Sequence, residues 1–180
     1  MSTTTWTIDP AHFDVEFAVK HMMIATVKGR FADVKGSVEL PDDGQPKIDV
    51  TIGTASIDTR QEQRDNHLRS ADFFDVAQHP EMRFVSTGAE RDGDDWKVAG
   101  NLTIKGVTKP VTLEVTEEGR GKDPWGGERM GISARGKIDR REFGLTWNAA
   151  LEAGGFLVGD DVKLTIEGEL VKQNAAAKAA

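Results

Sequence analysis

Four histidines, His12, His21, His67 and His79, are the chain's first candidates for acid–base or metal chemistry. A metal pair on one element needs a short regular spacing, as in His-Glu-x-x-His, and none of the four has such a partner. Thiol chemistry and disulfides are excluded because the chain has no cysteine. The run Asp65-Asn66-His67 has the composition of a catalytic fragment, but the Gly-x-Ser-x-Gly turn that would expose a nucleophile is absent. Neither Gly-x-Gly-x-x-Gly nor a Gly-Lys-Ser/Thr loop occurs, so nucleotide binding has no support. No catalytic residue, metal site or cofactor is assigned. Arg64, Asp65, His67 and Arg69 are read as solvated or as pinning a helix to the rim of a barrel by ion pairs. His21 stands in phase with the apolar side chains Phe13, Val15, Phe17 and Val19. That placement suits either a polar group for the head of an amphipathic ligand or a buried histidine satisfied by backbone.

The elements that must position these residues are strands. Alternation of apolar and polar residues runs through Phe13–His21, Val34–Leu40 and Ile48–Ile52, then Glu81–Thr87 and Trp96–Ile104. It resumes at Val111–Val115, Met130–Ile138 and Val162–Leu170. One helix is expected over about 60–71, with Thr59 as its N-cap and Glu62 in the capping-box position. A second short helical segment is expected at Arg140-Arg141-Glu142-Phe143, and Glu117–Glu128 reads as a polar, Gly-rich loop. Eight strands with one apolar face each, and a single helix to cover them, must curl onto themselves as a sandwich or a barrel.

Composition narrows the partners. The chain has 180 residues, one domain's worth, with 29% charged and 38% hydrophobic residues and a net charge of -7. An acidic chain does not neutralise phosphates, so nucleic acid is not expected as a partner. Residues 1–6 carry neither basic charge nor an apolar run, and a cytoplasmic location is expected. Residues 1–172 are expected to form one domain and residues 173–180 a disordered tail.

Gly36, Gly100, Gly136 and Gly168 fall on the apolar faces of their strands. They either permit the bends that close a barrel or leave internal volume for a ligand. Both readings favour a barrel.

Several blocks together resemble the YceI-like family of polyisoprenoid-binding proteins. They are Trp6-Thr7-Ile8-Asp9-Pro10-Ala11-His12 with Val15–His21, Gly29-Arg30-Phe31 with Gly36, and Arg64–Asp75 with His79-Pro80. Gly100–Val111 and Arg141-Glu142-Phe143-Gly144 extend the similarity to nearly the whole chain, Trp6 to about Leu170. Phe13 departs from the family, which usually has a small hydroxyl residue there. The resemblance implies an all-β, eight-stranded antiparallel lipocalin-like barrel that carries, without catalysis, a polyprenyl chain or isoprenoid quinone in an elongated apolar channel. It also implies a homodimer, and lipid exchange implies transient membrane contact.

Periodicity alone would make the apolar stripes a dry core; the resemblance makes them a ligand-binding wall. Its expected residues are Phe17, Val19, His21, Met23, Phe31, Ile52, Phe84 and Gly100. Leu102, Ile104, Leu113, Ile132, Ala134, Trp147, Leu164 and Ile166 complete it. Trp125 is either a cap on the barrel mouth or a lone exposed aromatic. Two rival readings are an enzyme using His21 as acid or base on an amphipathic substrate, and a ligand-free structural protein whose barrel is filled by its own side chains.

Overall fold

The structure, a computed structural model, describes residues 2–174. Period-2 sequence becomes a closed ring of eight antiparallel strands. In chain order these are β1 (Thr3–His21), β3 (Val34–Pro41), β4 (Lys47–Gly53), β6 (Glu81–Asp92), β7 (Asp95–Ile104), β8 (Val107–Lys122), β9 (Glu128–Asp139) and β10 (Val158–Lys172). Each pairs with the next, and β10 returns to pair with β1, so the sheet has no free edge around the barrel.

Two shorter strands thicken one end. β2 (Ala25–Phe31) pairs with the second half of β1, from Val15 to His21, while β3 takes the first half, from Thr3 to Thr7. β5 (Ile57–Asp58) adds to the outer edge of β2. β2 and β5 lack the long alternation that marks the other eight strands, because each is short and pairs only locally.

Turn chemistry explains the tightest connection. Lys105 and Gly106 both have positive φ, +51° and +75°, between the paired residues Ile104 and Val107. This is the two-residue hairpin geometry that matches strand twist. Strand β8 therefore begins at Val107, ahead of the alternation that starts at Val111.

Two expected boundaries need correction. Residues 117–122 are not loop: β8 continues to Lys122, and only 123–127 separate it from β9. This hairpin overhangs the barrel, where ladder hydrogen bonds hold it without an apolar face, so alternation stops before the strand does. The helix, α1 (Glu62–Arg69), is shorter than 60–71 and begins without Thr59 as its cap. Arg60 has a φ of +64°, which no helix can contain, and the Gln61 side chain accepts the Arg64 N–H instead. The second helical segment is a 3-10 turn over Arg140–Phe143, as placed.

Gln173 donates its N–H to the Thr5 carbonyl (2.8 Å) and its amide to Thr7 Oγ1 (2.7 Å), which ties the start of the expected tail to β1. Residues 175–180 of that tail lie outside the described residues.

Candidate functional site

Inward-facing side chains from all eight ring strands line, rather than fill, the barrel. They enclose a cavity of about 610 Å³. On β10 the lining runs from Val158 to Leu170, ~40 Å along the strand at about 3.3 Å per residue. The cavity is therefore long and follows the strands from one end of the barrel to the other.

The wall follows the pleat. Val15, Phe17 and Val19 of β1 face Val162, Leu164 and Ile166 of β10 across their ladder, and all six line the cavity. Ile52, Phe84, Leu102, Ile104, Leu113, Ile132 and Ala134 continue the lining around the ring.

The glycines do not open volume to the interior. The space a Cβ would take at Gly100 is held by the Phe84 ring, at Gly136 by Leu113, and at Gly168 by the Phe13 ring. Phe17 lies in the same way on Gly29. Each glycine lets a large side chain lie flat against the wall, which keeps the lining thin. At Gly36 the Cβ would meet the β4 backbone at Asp49 and Val50, so there the close approach of two strands is the reason. Gly100 is accordingly not a lining residue, contrary to expectation, because Phe84 covers it. Phe13, the departure from the family pattern, lies across Gly168 and lines the cavity.

One end is packed with rings and ion pairs. Trp6 is fully buried, its Nε1 without a hydrogen-bond partner among the described residues. The Arg120 guanidinium lies 5.5 Å from its ring centroid. Arg120 also forks onto Glu117 at 2.6 and 3.1 Å, which holds the Glu117 carboxyl below its ordinary range. Arg91 sits 4.3 Å over Trp96, and both Trp96 and Glu117 line the cavity. Outside this floor, residues 9–12 loop out of β1 opposite Glu169. There Arg129 reaches Asp9 (2.6 Å), Glu169 (2.8 Å) and Asp123 (3.1 Å). Its hydrogen bond, with a second from His12, lowers the Asp9 pKa to about 2. Asp9, His12 and Glu169 offer ligand atoms within 4.8 Å of one another, but the Arg129 guanidinium already bridges the two carboxylates.

The other end is the mouth, and α1 sits on it. Gln63, Arg64, His67 and Leu68 share one helix face and line the cavity, together with Gln61 and Thr59. Hydrogen bonds to backbone and to Thr59 hold the helix, where solvation or ion pairs to the rim were the alternatives expected. Buried Asp65 accepts the Thr59 N–H (2.9 Å) and hydroxyl (2.5 Å), and Arg64 donates to Thr59 Oγ1 and its carbonyl, both at 2.7 Å. Arg69 donates to the carbonyls of Ala55 (3.0 Å) and Ile57 (2.9 Å). His67 packs edge-on against Trp147 (4.6 Å) and Phe73 (5.2 Å), with Nε2 2.8 Å from Asp72.

Arg140 shapes the opposite rim. Its buried guanidinium donates to the carbonyls of Leu145 (2.6 Å), Gly159 (2.7 Å), Trp147 (2.9 Å) and Val158 (3.2 Å). Burial lowers its pKa. This clasp folds the irregular segment after Gly144 over the barrel and sets Trp147 at the mouth.

Of the remaining expected residues, His21, Phe31 and Trp147 line the cavity. Met23 does not: it is 67% exposed at the β1–β2 tip. Trp125, 86% exposed, is a lone aromatic on the β8–β9 hairpin rather than a cap. Val38, Val50, Met82, Val98 and Leu170 also line the cavity, and each belongs to an alternation visible in the sequence. Phe73, Phe74, Leu145 and Leu157 line the cavity from irregular segments, where no periodicity signals them.

The chain is thus a closed antiparallel barrel around an elongated cavity with an apolar wall. The chain belongs to the YceI-like domain family, whose model matches residues 6–170. It is 45% identical over 138 residues to Protein YceI of Salmonella newport, covering 75% of this chain and 72% of that one. The fold is similar to that of Burkholderia cenocepacia BcnA, with a TM-score of 0.77, 25% identity and coverage of 91% and 98% of the two chains. It also matches a polyisoprenoid-binding domain from Saccharophagus degradans, with a TM-score of 0.65 over 94% and 97% of the chains; at 14% identity this likeness concerns the fold.

Proposed function

We propose that the chain binds a long apolar isoprenoid, a polyprenyl chain or prenyl-tailed quinone, inside the barrel and carries or stores it without chemical change. The observation that carries this reading is the cavity of about 610 Å³ with an apolar wall. A dry void of this size, at roughly 24 cal/mol per Å³, would cost about 15 kcal/mol. That equals the whole stability of an ordinary domain, about 5–15 kcal/mol. Water is a poor filler, since it needs polar partners that the wall does not offer. A hydrocarbon chain needs none, and each buried methylene contributes ~0.8 kcal/mol before ordering costs are subtracted.

The polar mouth suits a weakly polar head. Gln61, Gln63 and His67 offer hydrogen-bonding groups to the cavity, and His67 packs on the Trp147 ring. In this reading the protein works as a homodimer in the cytoplasm; light scattering and cell fractionation check those two points. A monomer, or a periplasmic signal from the full chain, would reject them.

Denaturing extraction of the purified chain followed by lipid mass spectrometry tests the function. One prenyl molecule per barrel is expected. An extract without lipid, from protein that also fails to take up added ubiquinone-10, would overturn the reading.

A further inference from the structure

The β1–β2 hairpin ends in Met22, Met23 and Ile24, which are 44%, 67% and 84% exposed. Three apolar side chains at a turn tip are a costly choice. Met22 and Met23 both have positive φ, +53° and +62°. That backbone is cheap for Asn-Gly and strained for methionine, and such strain persists where the surroundings or the function demand it. Here the sequence sets adaptable apolar side chains where turn-forming residues would be easier.

The tip has a companion. The Met22 N–H donates to the Leu157 carbonyl (2.8 Å), and Met23 lies against Gly155, so the loop 151–157 flanks the hairpin. That loop presents Phe156, 60% exposed. Lys20, His21, Leu157 and Val158, next to these residues in the chain, line the cavity. The apolar tip is thus continuous with the mouth.

Charge and area narrow the occupant. In a chain of net charge -7, the hairpin residues 18–28 contain Lys20, Lys28 and His21 and no acid, and the flanking loop 151–157 adds one acid, Glu152. Four side chains on two protruding loops fall well short of the roughly 800 Å² per partner that a standard protein interface buries. A small apolar wedge flanked by lysines fits instead a bilayer interface, with acyl chains below and phosphates at headgroup depth.

We propose that the β1–β2 tip and the Phe156 loop dock the mouth on a phospholipid bilayer, inserting Met22, Met23, Ile24 and Phe156 beneath the headgroups. The inference rests on the apolar-ligand reading in one respect, since docking there lets a tail pass between bilayer and barrel without crossing water.

The test is co-sedimentation of the full chain with vesicles of phosphatidylcholine and phosphatidylglycerol. The variants are a Met23→Asp/Ile24→Asp double substitution, Phe156→Asp, and Trp125→Asp as an exposed aromatic elsewhere. The wild type and Trp125→Asp should bind alike, and the double variant should bind at least roughly a hundredfold less, as expected from losing two buried apolar side chains. All four should take up ubiquinone-10 from detergent micelles equally, which shows that the barrel is intact. A wild type that does not bind vesicles, or a double variant that binds as well as the wild type, would overturn the proposal. So would a double variant that turns a dimer into a monomer while vesicle binding is unchanged, for the tip would then be a self-association surface. Vesicle binding by a wild type that takes up no quinone would support docking and count against the cavity reading alone.

Discussion

The two ends of the barrel are fastened by different chemistry. At the floor, charge meets charge: Arg129 joins Asp9, Asp123 and Glu169, and Arg120 joins Glu117 beneath Trp6. At the mouth, charged side chains hold backbone. Arg140 takes four carbonyls, Arg69 takes two, and Asp65 takes the backbone and hydroxyl of Thr59. The floor pairs tie regular strands that are already hydrogen-bonded into the ring, so they add a seal. The mouth contacts tie segments without a ladder, at Thr59, Ala55, Leu145 and Trp147, to strand ends at Ile57, Val158 and Gly159, so they set the shape of the opening. A charge is therefore worth more at Arg140, which is buried among carbonyls, than in the exposed Arg120–Glu117 pair of the floor.

The largest expected effect follows from removing the mouth clasp. Arg140→Met should cost on the order of 3 kcal/mol, since it leaves four carbonyls without their charged donor. Calorimetry should show the melting temperature falling by about 10 °C for a chain of this size. Arg129→Met should cost less, and a loss equal to that of Arg140→Met would break the comparison.

Next comes the wall between the ends. Gly100→Leu should push the Phe84 ring into the cavity, cost about 1–3 kcal/mol through overpacking, and lower lipid occupancy. Unchanged occupancy in a folded variant would show that Phe84 can move elsewhere.

Acid should act on the floor first. The folded-state pKa of Asp9, about 2, lies below its ordinary value of 3.8, so its contribution is fully present above about pH 4 and is lost as pH falls toward 2. Urea unfolding across this window should show stability dropping in the wild type and a flatter acid limb in Asp9→Asn. Identical acid limbs would remove the floor network from the account.

Salt gives the smallest effect. Arg120→Gln should cost under about 1 kcal/mol, and that difference should shrink further in 1 M salt, as expected of a solvent-exposed pair. The Arg140→Met deficit should persist in the same salt.

Much of the barrel is readable in the sequence because ring strands alternate: Val15, Phe17 and Val19 declare their face, as do Leu164 and Ile166. The mouth is harder to read. Phe73, Phe74, Leu145 and Leu157 lie in irregular segments placed by Arg140, Asp65 and Arg69, and a backbone carbonyl as partner leaves no mark in the sequence. The overhanging end of β8 is missed for the opposite reason, being strand without burial. Gly100 misleads as a wall residue because a glycine on an apolar face shows that space is needed there, not which neighbour takes it.

Native mass spectrometry of the full chain and of Ala134→Trp, a substitution that builds a ring into the wall, tests most directly whether the void belongs to a ligand. The account predicts one bound prenyl molecule on the wild type and a sharp loss from a folded Ala134→Trp. A wild type that flies at its bare mass, or a variant that keeps the full adduct, would contradict it.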